Sequence, residues 1–261
     1  NDRVVELKAA RLAEAGDVPT KLAILREAAA INRGRDPEAA IADLTAAFLL
    51  TPLDALLQAE LRDLALAHDR APQLARTYGQ ALDALADRPR EAIPLRHAAA
   101  ALAEDKLADK SGALAHYLAI LATDPADRRA IDRAVVLAGD LSEWNALANA
   151  LLDHFAAIER VDDGKLDYAE TAAVTSGASA TEHWARALAD AIATHELSAG
   201  MVAPMWARLG RLHRDHRGDV VAAVTSFRRA LELGGDRASW LADLVELGCG
   251  ASTFIIARAL Q

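Results

Sequence analysis

Interruptions of helical sequence recur along this chain about every 37 residues, and that spacing constrains the fold more than any single motif. Thr51-Pro52, Arg88-Pro89 and Asp124-Pro125 each close an apolar helical stretch, with the prolines 37 and then 36 residues apart. The same step leads on to Val161-Asp162-Asp163-Gly164, Leu197-Ser198-Ala199-Gly200 and Gly234-Gly235. A second break lies near the middle of each period: Gly34-Arg35-Asp36-Pro37, His68 to Pro72, Asp109 to Gly112, Gly139 to Ser142, Ser176 to Ser179, and His216 to Asp219. Glycine supplies the left-handed conformation that ends a helix, and Asp or Ser caps the next one. Pro37 and Pro72 suit a first helical turn, where no amide donor is lost. Each period therefore reads as helix, turn, helix, turn. The expected organisation is an N-terminal helix over 1–19, a repeat array over 20–235, and a C-terminal helical segment over 236–261 that reads as an incomplete repeat.

The residues between the breaks favour helix. Hydrophobic residues make up 52% of the chain but aromatic ones only 4%, so alanine and leucine carry the apolar content. Both are strong helix formers, because Ala loses no side-chain entropy and Leu keeps most of its rotamers. Alanine runs such as Glu27-Ala28-Ala29-Ala30 also let helices approach closely. One hairpin of two amphipathic helices cannot bury both apolar faces, so neighbouring hairpins must stack. The expectation is an all-α, right-handed superhelix of about six hairpins with a continuous core and a terminal helix at each end.

The register from Trp206 onward narrows the repeat type. It reads Trp206-x-x-Leu209-Gly210, then Ala223, Phe227 and Ala230, and closes at Gly234-Gly235. This resembles the tetratricopeptide repeat, with one extra residue in the inter-helix turn. His213 stands at the first aromatic position and Gly235 replaces the final proline. Weaker copies run Ala113, Tyr117, Pro125 and Ala28, Ile31, Ala40, Leu44, Ala47, Pro52. The longer period and alanine richness are similar to those of divergent repeat proteins from bacteria with GC-rich genomes. The resemblance implies a groove lined by the first helix of each pair, holding a peptide or a partner's helix. Carried onto this chain, groove-facing positions include Ala29 and Asn32, then Ala98, Leu102 and Asp105, then Ala207, Arg211 and Arg214. Asn32, Asp105, Arg211 and Arg214 are the candidate partner-binding residues. The Lys/Asn clamp with which some family members grip a C-terminal carboxylate is not reproduced.

Four places invite a chemical reading. His213 and His216 are three residues apart, a spacing that can share a metal, but no third ligand lies nearby; a packed histidine and one at a helix C-terminus is the plainer reading. Asp162-Asp163-Gly164-Lys165-Leu166-Asp167 looks like half a calcium loop, yet aligning Gly164 with the loop glycine puts Val161 where an oxygen ligand is needed. Those aspartates read better as a turn and a helix cap. His183 and His195 lie about 18 Å apart along one helix and cannot share a ligand. Cys249 has no base partner in the sequence. No phosphate loop and no Gly-x-Ser-x-Gly elbow is present. The expectation is therefore no catalytic residue, no metal and no cofactor.

Charge and cysteine usage bound the partners. A formal net charge of −9 opposes a nucleic-acid backbone, whose binding rests on clustered Lys and Arg. One cysteine allows no internal disulfide, and no apolar run reaches the roughly 20 residues that span a bilayer. A cytoplasmic location is expected. The start at Asn1-Asp2-Arg3 reads as trimmed, which leaves the periplasm open. The functional expectation is a non-catalytic adaptor holding a protein or peptide. The alternative is a regulatory or sensor segment of a larger protein that docks on its own catalytic or DNA-binding domain. An RNA-reading repeat and an enzyme on an α/α scaffold are less favoured. Phe254-Ile255-Ile256 predicts apolar surface on the last hairpin, a route to self-association.

Overall fold

The structure, a computed structural model, describes residues 2–234 and 237–250, and these contain helices and turns but no strand. In chain order the helices are α1 (Asp2–Glu14), α2 (Val18–Asn32), α3 (Pro37–Leu50), α4 (Ala55–Ala67), α5 (Ala71–Ala84), α6 (Ile93–Leu107) and α7 (Lys110–Leu121). They continue as α8 (Arg128–Leu141), α9 (Trp144–Ile158), α10 (Asp163–Ser176), α11 (Ala178–Thr194), α12 (Ala199–Leu212), α13 (Val220–Leu233) and α14 (Arg237–Gly250). A π-helical turn, His213–Arg217, prolongs α12. Six helix–turn–helix pairs, α2/α3 through α12/α13, thus lie between α1 and α14, and the all-α hairpin array expected from the periodicity is what forms. The segment 1–19 holds α1 and the start of α2, with the chain turning at Gly16-Asp17. Gly235 and residues 251–261, including Phe254-Ile255-Ile256, lie outside the described residues. Among the described residues no helix is long and apolar enough to cross a membrane.

Aspartate does most of the punctuation. Asp17, Asp36, Asp54, Asp127, Asp162 and Asp219 each sit at an N-cap and accept a hydrogen bond from a backbone N–H two or three residues on. Asp109 does the same for Gly112 N. Each such cap stabilises its helix by about 1 kcal/mol. Much of the acidic excess is therefore at helix starts, where a negative charge also meets the positive end of the helix dipole. Asp162 belongs to this set: its carboxylate is on the Lys165 amide.

The chain divides into two compact units, one up to His116 and one from Tyr117. In the first, α3 packs on α2, α4 and α5. Ala47, Ala65 and Ala81 are sealed at the helix contacts, and Phe48 meets Tyr78 with ring centroids 5.9 Å apart. Burial pushes the Tyr78 phenol up from its usual range. Lys8 and Asn32 both donate to Asp43, which is only 2% exposed; the amine lies at 2.6 Å and the amide at 3.2 Å. This buried carboxylate ties α1 and α2 to α3.

In the second unit, α9 packs on α11 and α8 on α10. Trp144 and Trp184 stand edge to face at 6.3 Å. The Trp206 register is realised at atomic level. A Cβ placed on Gly210 would lie 2.9 Å from three ring atoms of Phe227, so the glycine and the aromatic ring occupy one contact. The extra residue of this repeat is taken up by the π-helical turn. Gly218, at φ 62°, ends it, and the Asp219 amide reaches back to the His213 carbonyl at 3.0 Å.

Gly210→Ala should therefore overpack the α12/α13 hairpin and lower its unfolding free energy by about 1–3 kcal/mol. Urea unfolding followed by tryptophan fluorescence measures the loss. Combining it with Phe227→Leu should return part of it, whereas additive losses would show that the ring is not what the new methyl meets.

Candidate functional site

The first helices of successive pairs are tied together by ion pairs whose partners lie about one repeat apart. In the first unit Arg26 of α2 donates to Glu60 of α4 at 3.0 Å, 34 residues away. In the second, Lys165 of α10 holds Asp132 of α8 over a separation of 33 residues. Asp163, Asp167 and Glu170 share one face of α10, being three and four residues apart, and all three converge on Arg208 of α12. Arg208 reaches Glu170 at 2.7 Å across 38 residues. Arg211 donates to Asp243 of α14 at 3.1 Å, 32 residues away, and to Ser239 at 3.3 Å. Arg214 donates to the same Asp243 at 2.8 Å, to Glu246 at 3.1 Å and to Asp215 at 2.6 Å.

These contacts decide where the sequence-derived positions stand. Arg211 and Arg214 are brought together on one helix face, with α14 taking their guanidinium groups. Hydrogen bonds to Asp215 and Asp243 hold the Arg214 charge on, and Arg214 in turn keeps the Asp215 carboxyl below its usual range. Asn32 is committed to Asp43. Asp105 is exposed on α6, separate from the others. Leu102 and Ala207, expected to face a groove, are buried instead, while Ala29, also buried, lines a hollow beside α2. The small and apolar positions carried over from the repeat pattern seal the helix contacts here, because this alanine-rich chain uses them for close approach.

In the first unit the space between the first helices of two successive pairs stays open. Arg26, Arg33, Leu56, Ala59, Glu60, Asp63, Leu64 and Ala67 line a cleft of about 440 Å³ between α2 and α4. A second hollow of about 310 Å³ continues under the Arg26–Glu60 bridge onto Ala29, Ala30 and Leu44. Leu56 is 74% exposed. Arg33, at the C-cap of α2, lines both hollows, and its guanidinium makes no hydrogen bond or ion pair among the described residues. Sequence reasoning passed over both residues. Arg33 sits next to a turn and Leu56 at the start of a helix, in copies where the repeat pattern is weak. The usable signal was the period itself: 34 residues from Arg26 lies Glu60, which marks α2 and α4 as facing neighbours.

The histidines occupy unrelated settings. His213 is buried, and its Nδ1 accepts from Arg217 Nη1 at 2.8 Å; burial and that cation hold the ring below its usual pKa, so it is neutral. His216 is exposed, as is His183, while His195 is bound to Asp153 at 3.2 Å. Among the described residues no group of three or more His, Cys, Asp or Glu is placed to hold a metal.

Neither a family model nor a curated protein matches the sequence. A tetratricopeptide repeat protein of known crystal structure, from Parabacteroides merdae, is similar at 16% identity with a TM-score of 0.37; the match covers 87% of this chain and 98% of that one.

The carboxylates around Arg208 set up a titration near neutral pH. One guanidinium cannot neutralise Asp163, Asp167 and Glu170 together, and Glu170 is the least exposed of the three. Burial, with the like charge of Asp215, pushes its carboxyl up to about 7, against a partial pull from Arg211. Its folded pKa is thus above its unfolded value. The stabilisation is complete below the unfolded pKa, near 4.5, and is lost as pH rises to about 7. The full shift corresponds to about 3 kcal/mol, trimmed by water at this partly open site to on the order of 1–2 kcal/mol. Relative to Glu170→Gln, the native protein should lose that much stability between pH 4.5 and 7, read from urea midpoints across the range. Parallel pH curves for the two proteins would contradict the assignment.

Proposed function

We propose that this chain is a non-catalytic scaffold of the tetratricopeptide type that binds a protein partner, as a peptide or a helix, on the face made by the first helices of its pairs. The observation that carries the reading is the contrast between the two units, each taken by itself. In the second unit its charged side chains are paired with one another across successive helices. Between α2 and α4 a cleft is left open, with an exposed leucine and an unpaired arginine. A fold held together by stacking of its own hairpins has no need of either. The formal charge of −9 speaks against nucleic acid as the partner. Arg211 and Arg214, on this reading, belong to the stacking of α12 on α14.

A photo-crosslinking amino acid at Leu56, compared with one at Val221, exposed on the second helix of its pair, tests the reading in lysate of the source organism. The expected result is a discrete protein adduct from position 56 and none from 221. Equal adducts from both positions, or none from 56, would count against a binding face here. The variant Arg211→Glu/Arg214→Glu places two carboxylates against Asp243 and Glu246. It should cost about 1–2 kcal/mol of stability, diminishing in high salt, while leaving the position-56 adduct in place.

A further inference from the structure

Resting on the scaffold reading above, we infer that the α2/α4 cleft takes an extended peptide segment carrying an aliphatic side chain and a carboxylate about five residues apart. The charge ledger of the lining points to the carboxylate. Arg26 is matched by Glu60 at 3.0 Å, and Asp63 is matched by Arg62 at 3.0 Å. Arg33 is left over: Asp63 is held by Arg62 from outside the lining, and no acid among the described residues forms an ion pair with Arg33. A guanidinium presents two parallel donors that fit the two oxygens of a carboxylate. Its planar fork at the edge of a cleft is a ready receptor for an acidic side chain or a chain terminus.

The apolar wall gives the second anchor and the spacing. Leu56, Ala59, Leu64 and Ala67 are on the α4 side of the same cleft. Leu56 lies in the first turn of the helix and Ala67 closes it, eleven residues or about 16 Å along the axis. Short turns reverse the chain between α2 and α3 and again between α3 and α4, and α3 packs on both, so α2 and α4 run in the same direction; the Arg26–Glu60 pair, one turn beyond Leu56, sets their register. Arg33, two turns further along α2, therefore lies towards the Ala67 end. The apolar anchor and the cation are thus at opposite ends of the cleft. An extended chain advances about 3.3 Å per residue, so about five residues cover the distance. Five residues of helix advance only about 7.5 Å, too little to reach both anchors, whereas an extended segment of that length spans them and, at a spacing of four or six, turns both side chains into the cleft.

Panning a display library of random twelve-residue peptides on the whole protein tests this without knowing the natural partner. The expected selection is enriched in peptides that pair Leu, Ile, Val or Met with Asp, Glu or a free C-terminus four to six residues away. Affinities of the enriched peptides are then read by fluorescence anisotropy on the native protein and on Arg33→Glu, Arg33→Gln and Leu56→Ser, with helicity and melting checked by circular dichroism. Arg33→Glu should weaken binding at least tenfold, and Leu56→Ser severalfold. Exchanging the peptide's acid for lysine should restore binding to Arg33→Glu alone, which a folding defect could not produce. Enriched peptides that bind the variants as well as the native protein, or that lack the acidic group, would overturn the inference and leave the scaffold reading standing. No enrichment at all would count against both.

Discussion

Two amphipathic helices joined by a short turn cover each other on one side only. In this chain the uncovered side is met by the next pair, and the contact is made close by alanine. Ala47, Ala65 and Ala81 in the first unit, and Ala207, Ala223 and Ala230 in the second, are sealed at such contacts. Few large rings are then needed. Phe48 with Tyr78, Trp144 with Trp184, and Phe227 on Gly210 fill the gaps that small residues cannot. A core of this kind is assembled pair by pair, each layer depending on its neighbours.

Close alanine contacts are slippery, since many registers bury a similar apolar area. Charge is what discriminates among them. The ion pairs from α8 to α10, α10 to α12 and α12 to α14 all connect first helices, and each is satisfied at one sliding position. Partly exposed pairs of this sort add little stability individually. Their contribution is to raise the energy of the misregistered alternatives, where like charges would face each other. Glu170 owes its unusual setting to burial inside this network, with the like charge of Asp215 beside it.

The fold was open to reading because its breaks are made by residues with few other uses. Pro52, Pro89, Gly34 and the capping aspartates impose local geometry whatever packs around them, so helix boundaries follow from sequence. Gly210 and Phe227 were legible as a pair for a similar reason: a missing side chain on one helix makes the room that the ring on the other fills. The binding face was harder. Whether Ala207 or Leu102 looks outward depends on where the neighbouring pair sits, and both turn out to be covered. Arg211 looked available until Asp243, a whole repeat away, was placed beside it. Arg33 is notable for the opposite reason: the acids across the cleft are taken by Arg26 and Arg62, which no inspection of a single repeat can detect.

Repeat proteins are often treated as strings of interchangeable parts, and the ion pairs limit that view. Arg208 turns towards α10 while Arg211 and Arg214 turn towards α14, so α12 is cationic on both flanks. Exchanging the α10/α11 and α12/α13 pairs would set the acidic row of α10 against Asp243 and Glu246. The order of the hairpins is thus written in their charges. Duplication or shuffling of these units would have to be followed by changes of sign before the products could stack.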